Sequence, residues 1–192
     1  MSTAIEHDVQ AIRARAAETW TRLGWPTTRI EEWRYTNLAP LAKLTWKRAG
    51  TDTPVGGDLG QTGLSVLQGS LCGRAVAELV FVNGVYAPEA CSGSGSSGLT
   101  VSTLRNAPQG LVSAHFGKVA DFERSAMTAL NTVEAHDGAV IEVSDAIEGF
   151  VHVLYIGTDG FESHPRNLIV AGRNSQVTVV ESYVGSGAYF TN

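Results

Sequence analysis

Cysteine is scarce in this 192-residue chain: Cys72 and Cys91 are the only two, and they form no Cys-x-x-Cys pair. Their spacing excludes a disulfide framework and a structural zinc site, and predicts two reduced thiols. Basic residues are few and scattered, 14 Lys and Arg against 19 Asp and Glu, with a net charge of -5. A phosphate-binding surface needs clustered positive charge, so nucleic acid is not an expected partner. No apolar run reaches the roughly 18 residues of a membrane-spanning helix, so no membrane partner is expected. Residues 1–8 lack the basic start and apolar core of a secretory signal and are too acidic for a transit peptide, so a cytoplasmic location is expected.

Chemical motifs are equally sparse. No glycine-rich phosphate loop ending in Lys-Ser or Lys-Thr occurs, and Gly185-Ser186-Gly187 lacks the third glycine of a dinucleotide loop. No Gly-x-Ser-x-Gly elbow is present to raise a nucleophile. His7, His115, His136 and His152 have no partners at zinc-binding spacing. His164-Pro165-Arg166 and His136-Asp137 read as a corner and a turn rather than as ligands. Glu31 and Glu32 are adjacent, and neighbours on a helix diverge to different faces, so they read as solvated charges. No catalytic, cofactor-binding or metal-binding residue is therefore predicted.

What is present is a chain of ordinary globular composition, 43% hydrophobic and 17% charged, long enough for one domain and a small appendage. Ile5, Val9, Ile12, Ala16, Trp20 and Leu23 recur at helical steps. Thr3 with Glu6 has capping-box spacing, and Gly24 and Pro26 supply the stop. Trp33 is expected to bury against Trp20 and Leu23, giving a helical lobe over residues 1–49. An irregular connection, rich in Gly, Thr, Asp and Pro in its first half, is expected over 50–77. A β-rich core is expected over 78–192, opening with a hairpin whose turn is Asn83-Gly84. The Ser and Gly run from Ser92 to Gly98 predicts a mobile loop. A helix is expected from Asp121, as N-cap, to about Ala135. Runs at 139–143, 150–156, 168–171 and 176–183 predict short strands, compatible with a sandwich, a barrel or the rungs of a β-helix.

Pro26 followed by Arg29-Ile30-Glu31-Glu32-Trp33-Arg34-Tyr35-Thr36-Asn37-Leu38 forms a signature, although Thr28 and Glu31 could equally cap a plain helix. Further along come Phe81-Val82-Asn83-Gly84-Val85-Tyr86, Ala129-Leu130-Asn131-Thr132, His164-Pro165-Arg166-Asn167-Leu168-Ile169-Val170 and Val179-Val180-Glu181-Ser182-Tyr183. In this order the stretches resemble the SufB/SufD family of iron-sulfur cluster assembly proteins, most nearly its SufD branch.

The resemblance implies a small N-terminal helical lobe followed by the first rungs of a right-handed parallel β-helix. It also implies a non-catalytic scaffold that pairs with SufB and docks the SufC ATPase while a cluster is assembled. The cluster would be handled by the full complex, with no cofactor bound by this chain. The family's proteins are considerably longer, so their cluster-related residues and ATPase contacts are expected beyond Asn192, and no functional residue transfers to a position here. The last rungs, left without a neighbour, are expected to make this form a homodimer. A β-helical carbohydrate-active enzyme would need a repeating groove of paired carboxylates, and Glu142, Asp145, Glu148 and Glu181 form none. A hexapeptide-repeat acyltransferase would show an aliphatic residue every sixth position, which Val140–Val184 does not. A generic protein-interaction domain is the remaining alternative.

Overall fold

The computed structural model describes residues 2–50, 75–93 and 95–192, with side chains of the first helix from Asp8 onward. The apolar stripe at the start of the chain becomes helix α1, Ser2–Leu23. It buries Ile12, Ala16 and Thr19, with Val9 and Trp20 half-buried beside them. The capping pair Thr3 and Glu6 lies outside the described side chains. At the other end the Gly24 amide donates to the Trp20 carbonyl at 2.7 Å and closes the helix as expected.

Two further helices, α2 (Gln109–His115) and α3 (Ala126–Glu134), pack on α1. No periodic apolar stripe announces α2 in the sequence. Helix α3 begins five residues later than expected, because the Ser125 hydroxyl, not Asp121, accepts from the Thr128 amide. Asp121 instead accepts from the Glu123 amide in a local turn at 3.1 Å. Helices end with unpaired carbonyls, and here Arg13 of α1 supplies the donors. Its guanidinium donates to the carbonyls of Thr132 at 3.4 Å, Val133 at 2.6 Å and Ala135. A cation at a helix C-terminus also opposes the helix dipole favourably. These helices, the chain up to Thr45 and Asn192 form one compact unit, and Trp46–Ala107 with His136–Thr191 form a second. The division is not colinear. The helix that the sequence placed inside the β-rich stretch clusters with α1, and residues 51–74 of the expected connection lie outside the described residues.

Among the described residues the second unit holds ten strands in three sheets. The first sheet has β1 (Lys47–Arg48), β7 (Phe161–Ser163) and β10 (Phe190–Thr191), in that order. The second is ordered β3 (Val85–Tyr86), β2 (Ala77–Val82), β6 (Ala146–Gly157), β9 (Gln176–Gly185). The third is ordered β4 (Leu99–Thr103), β5 (Ala139–Val143), β8 (Leu168–Ala171). From β5 onward the chain visits the third, second and first sheets in turn, then repeats the circuit. The pairing register shows the repeat length. Val140 faces Leu168, Val151 faces Val179, and Glu162 faces Phe190, in three different sheets. Each pair is 28 positions apart (168 − 140, 179 − 151, 190 − 162).

Two sheets also contain an antiparallel pair. Asn83 and Gly84, at φ 49° and 81°, make the expected two-residue hairpin and turn β3 back along β2. Strand β4 runs antiparallel to β5. Two of the three sheets are therefore mixed, and none closes on itself among the described strands. The architecture established is mixed α/β, with a small helical part and several sheets.

The core lies on both faces of the second sheet. On one face Ala77, Leu79, Phe81, Val151, Val153 and Tyr155 pack against Ala139, Ile141 and Val143 of the third sheet. On the other Val80, Val82, Leu154 and Ile156 are covered by Ala87, with Cys91 and Val184 at the margin. Burial on both faces is why β2 reads as a nearly continuous apolar run. In the Ser and Gly run expected to be mobile, Ser92 and Gly95 instead bond to the chain at the start of β2. The Glu78 amide donates to the Ser92 carbonyl at 2.8 Å, and the Gly95 amide to the Val76 carbonyl at 2.9 Å. Its partner is distant in sequence, so composition alone could not reveal this pairing. No helix among the described residues is long and apolar enough to cross a membrane.

Candidate functional site

The N-terminal signature is a surface feature. Glu31–Trp33 form one 3-10 turn whose N-cap is Ile30, without a side-chain cap, so Thr28 and Glu31 do not make a capping box. Glu31 and Glu32 are solvent-exposed, as expected. Arg34 lies 3.7 Å from Glu31 and places its guanidinium 5.5 Å from the ring centre of Tyr35, which is 90% exposed. Trp33 is only half-buried. The expected pairing of Trp33 with Trp20 is replaced by another: the turn at Gly24 brings Trp25 edge-on to Trp20, with ring centres 5.5 Å apart.

The motifs of the second unit work as corners and clamps. Asn83 accepts from the Thr158 amide at 2.9 Å through Oδ1 and donates to the Thr158 hydroxyl at 2.8 Å through Nδ2, tying the hairpin tip to the end of β6. Asn167 Oδ1 accepts from the Ala139 amide at 2.7 Å and from the Tyr155 hydroxyl at 2.5 Å. Its Nδ2 donates to Glu181 at 3.0 Å. His164 sits buried at the corner, edge-on to Phe190 at 5.5 Å and 3.7 Å from Glu162. Asp137 accepts from the amides of Gly138 at 3.0 Å and Arg105 at 3.3 Å. Burial pushes its carboxyl above the usual range, against the pull of those hydrogen bonds.

Cys91 is a half-buried free thiol that accepts from the Val80 amide and donates to the Ala87 carbonyl, both at 3.3 Å. Burial raises its pKa, the opposite of what an activated thiolate needs. Cys72 lies outside the described residues. Among the described residues no three His, Cys, Asp or Glu side chains gather as a metal site.

One constellation has the geometry of chemistry. Along the second sheet, His152 Nδ1 lies 2.7 Å from Glu78 Oε1, and His152 Nε2 lies 2.9 Å from the Ser182 hydroxyl. The second carboxylate oxygen of Glu78 accepts from Ser92 Oγ at 2.7 Å. The side chains of His152 and Glu78 are 4% and 1% exposed, and Ser182 is half-buried. Glu78 pairs with His152, which faces Val180 on β9, and Ser182 lies one same-face step beyond Val180, so the parallel pairing of β2, β6 and β9 puts the three polar groups on one face. Sequence reading missed the group because its members lie on three strands separated by long stretches of chain. No local motif could signal it.

Comparison with known proteins places the chain in a family. The model for the SufBD protein N-terminal region matches residues 2–149. An iron-sulfur cluster assembly SufBD family protein from Synechocystis sp. is 28% identical, over 94% of this chain but 39% of its own length. The chain thus spans about two-fifths of that curated relative. With the family model matching well over half of its residues, the chain belongs to the SufBD family.

Proposed function

We propose that this chain is the N-terminal part of a SufD-like scaffold in iron-sulfur cluster assembly, acting in the cytoplasm. It would pair with a SufB-like paralogue and work with a SufC-like ATPase. In this reading the cluster is cargo of the assembled complex, this chain holds no cofactor, and ATP chemistry belongs to the partner. The observation that carries the reading is the family match across residues 2–149, reinforced by a relative named for iron-sulfur cluster assembly. The 28-residue register shared by three sheets supports a further element of it: the two circuits from β5 to β10 are the first rungs of a right-handed parallel β-helix, to which β3 and β4 are antiparallel additions.

Co-expression of the full-length protein with a SufB-like and a SufC-like partner tests the proposal. A stable complex containing all three, with ATP hydrolysis lost when the ATPase subunit is omitted, is expected. Recovery of the full-length protein alone, with both partners expressed and soluble, would overturn it.

Among the described strands β8, β9 and β10 are each the outermost of a sheet. Strand β9 is long, and Glu181 is its only charge, so it carries few of the usual defences of an exposed edge. We expect this form to associate through those strands as a two-fold dimer. Sedimentation over a concentration series should show the dimer, and Val179→Lys should return the monomer. A monomer at high micromolar concentration, unchanged by the substitution, would refute this interface.

A further inference from the structure

We propose that Ser182 is an activated nucleophile that accepts acyl groups from small activated esters or thioesters, an activity separate from the scaffold role. A carboxylate can only accept hydrogen bonds, so Glu78 Oε1, 2.7 Å from His152 Nδ1, places the ring proton on Nδ1. With the ring neutral, Nε2 presents its lone pair and the Ser182 hydroxyl donates to it at 2.9 Å. The serine proton therefore already points at a base. Ser92 fixes the other carboxylate oxygen at 2.7 Å, so the orienting group is itself held. Nucleophile, base and orienter in hydrogen-bond reach are the arrangement that activates a hydroxyl.

Of Glu78, His152 and Ser182, only Ser182 is not buried, so the hydroxyl is the member of the group that solvent and a small electrophile meet first. In the reaction Ser182 Oγ bonds the acyl carbon while its proton passes to His152 Nε2. The bond from that carbon to the alcohol or thiol breaks, and the leaving group takes the proton from Nε2. The product is an acyl-serine, with no oxidant or cofactor consumed. His152 touches the reacting proton, whereas Glu78 acts through His152 as a positioning residue.

The test is a fluorophosphonate, which reports activated serines, applied to the 192-residue chain with mapping of the modified peptide. One label, on Ser182, is expected. His152→Asn should slow labelling by about a hundredfold, the usual contribution of a general base. Glu78→Gln should also slow it and change its pH profile, a readout that loss of packing alone would not produce. Because His152 and Glu78 are buried, half-buried Ser182 provides the control: Ser182→Ala should keep the native circular dichroism and lose the label. Ser182→Cys should react with iodoacetamide faster than Cys91. A folded chain that stays unlabelled, label spread over several hydroxyls, or labelling of Ser182 at an unchanged rate in a folded His152→Asn variant would each overturn the proposal.

Discussion

Phe81→Ala is expected to cost about 3–5 kcal/mol of the second unit's stability, the range for removing a fully buried aromatic side chain. Phe81 has no exposed surface and stacks on Tyr155 at 5.2 Å with a 23° angle between rings. Tyr155 in turn stacks on Tyr183 at 5.0 Å and 19°, so one ring from each of β2, β6 and β9 forms a continuous column. Tyr86 closes the side of Phe81 at 5.6 Å. Removing the first ring leaves a void beneath Tyr155, whose hydroxyl is held by Asn167 at 2.5 Å and cannot follow the ring inward without breaking that bond. Collapse is thus restricted, which places the site at the costly end of core truncations. Urea unfolding should show a lower midpoint with an unchanged slope. Phe81→Leu, which keeps most of the volume, should cost less than about 1.5 kcal/mol. A loss below about 1 kcal/mol for the alanine variant would show that the column is not structural.

The same column shows why the repeat was hard to read in the sequence. Stacked rungs constrain inward positions, and even there they ask for compatible shape rather than identity. Tyr155 and Tyr183 coincide, but Val140 faces Leu168, and Glu162 faces Phe190. The 28-residue period is therefore written in backbone register more than in residue type. Features set by local chemistry were legible. Asn83-Gly84 dictates its hairpin through two positive-φ positions, α1 shows its buried stripe, and β-branched runs mark β5 and β8. Features set by distant partners were not. Ser92–Gly98 looks like a free loop until β2 lies beside it. Trp33 is the large apolar residue of the signature, yet the turn at Gly24 brings Trp25 against Trp20. The Glu78–His152–Ser182 group exists only once three strands are in register.

Gly138→Ala is expected to destabilise the second unit by about 2–3 kcal/mol, although it adds a single methyl group. Gly138 has φ 156°, and a Cβ there would lie 2.6 Å from the carbonyl carbon and 2.8 Å from the nitrogen of Arg166, with the carbonyl oxygen closer still. All three are backbone atoms, so no side chain can swing aside. The two corners in contact are held by their own hydrogen bonds: the Arg166 amide to the Asp137 carbonyl at 3.1 Å, and the Leu104 amide to the Gly138 carbonyl at 2.8 Å. Relieving the clash means separating His136-Asp137-Gly138 from His164-Pro165-Arg166, which gives up such bonds at about 1 kcal/mol each. Keeping the bonds instead stores backbone strain of about 1–3 kcal/mol. Either route loosens the start of β5, whose Ala139 amide is held by Asn167 from the same corner at 2.7 Å. Amide exchange should therefore accelerate first at Ala139–Val143, and the urea midpoint should fall. Gly110→Ala in α2, where an added Cβ meets nothing within 4 Å, is the matched control and should be neutral or stabilising by up to about 1 kcal/mol. A Gly138→Ala protein within about 0.5 kcal/mol of the parent, with unchanged exchange at β5, would mean that the corners are free to part, and that the 28-residue circuit is not locked where it turns.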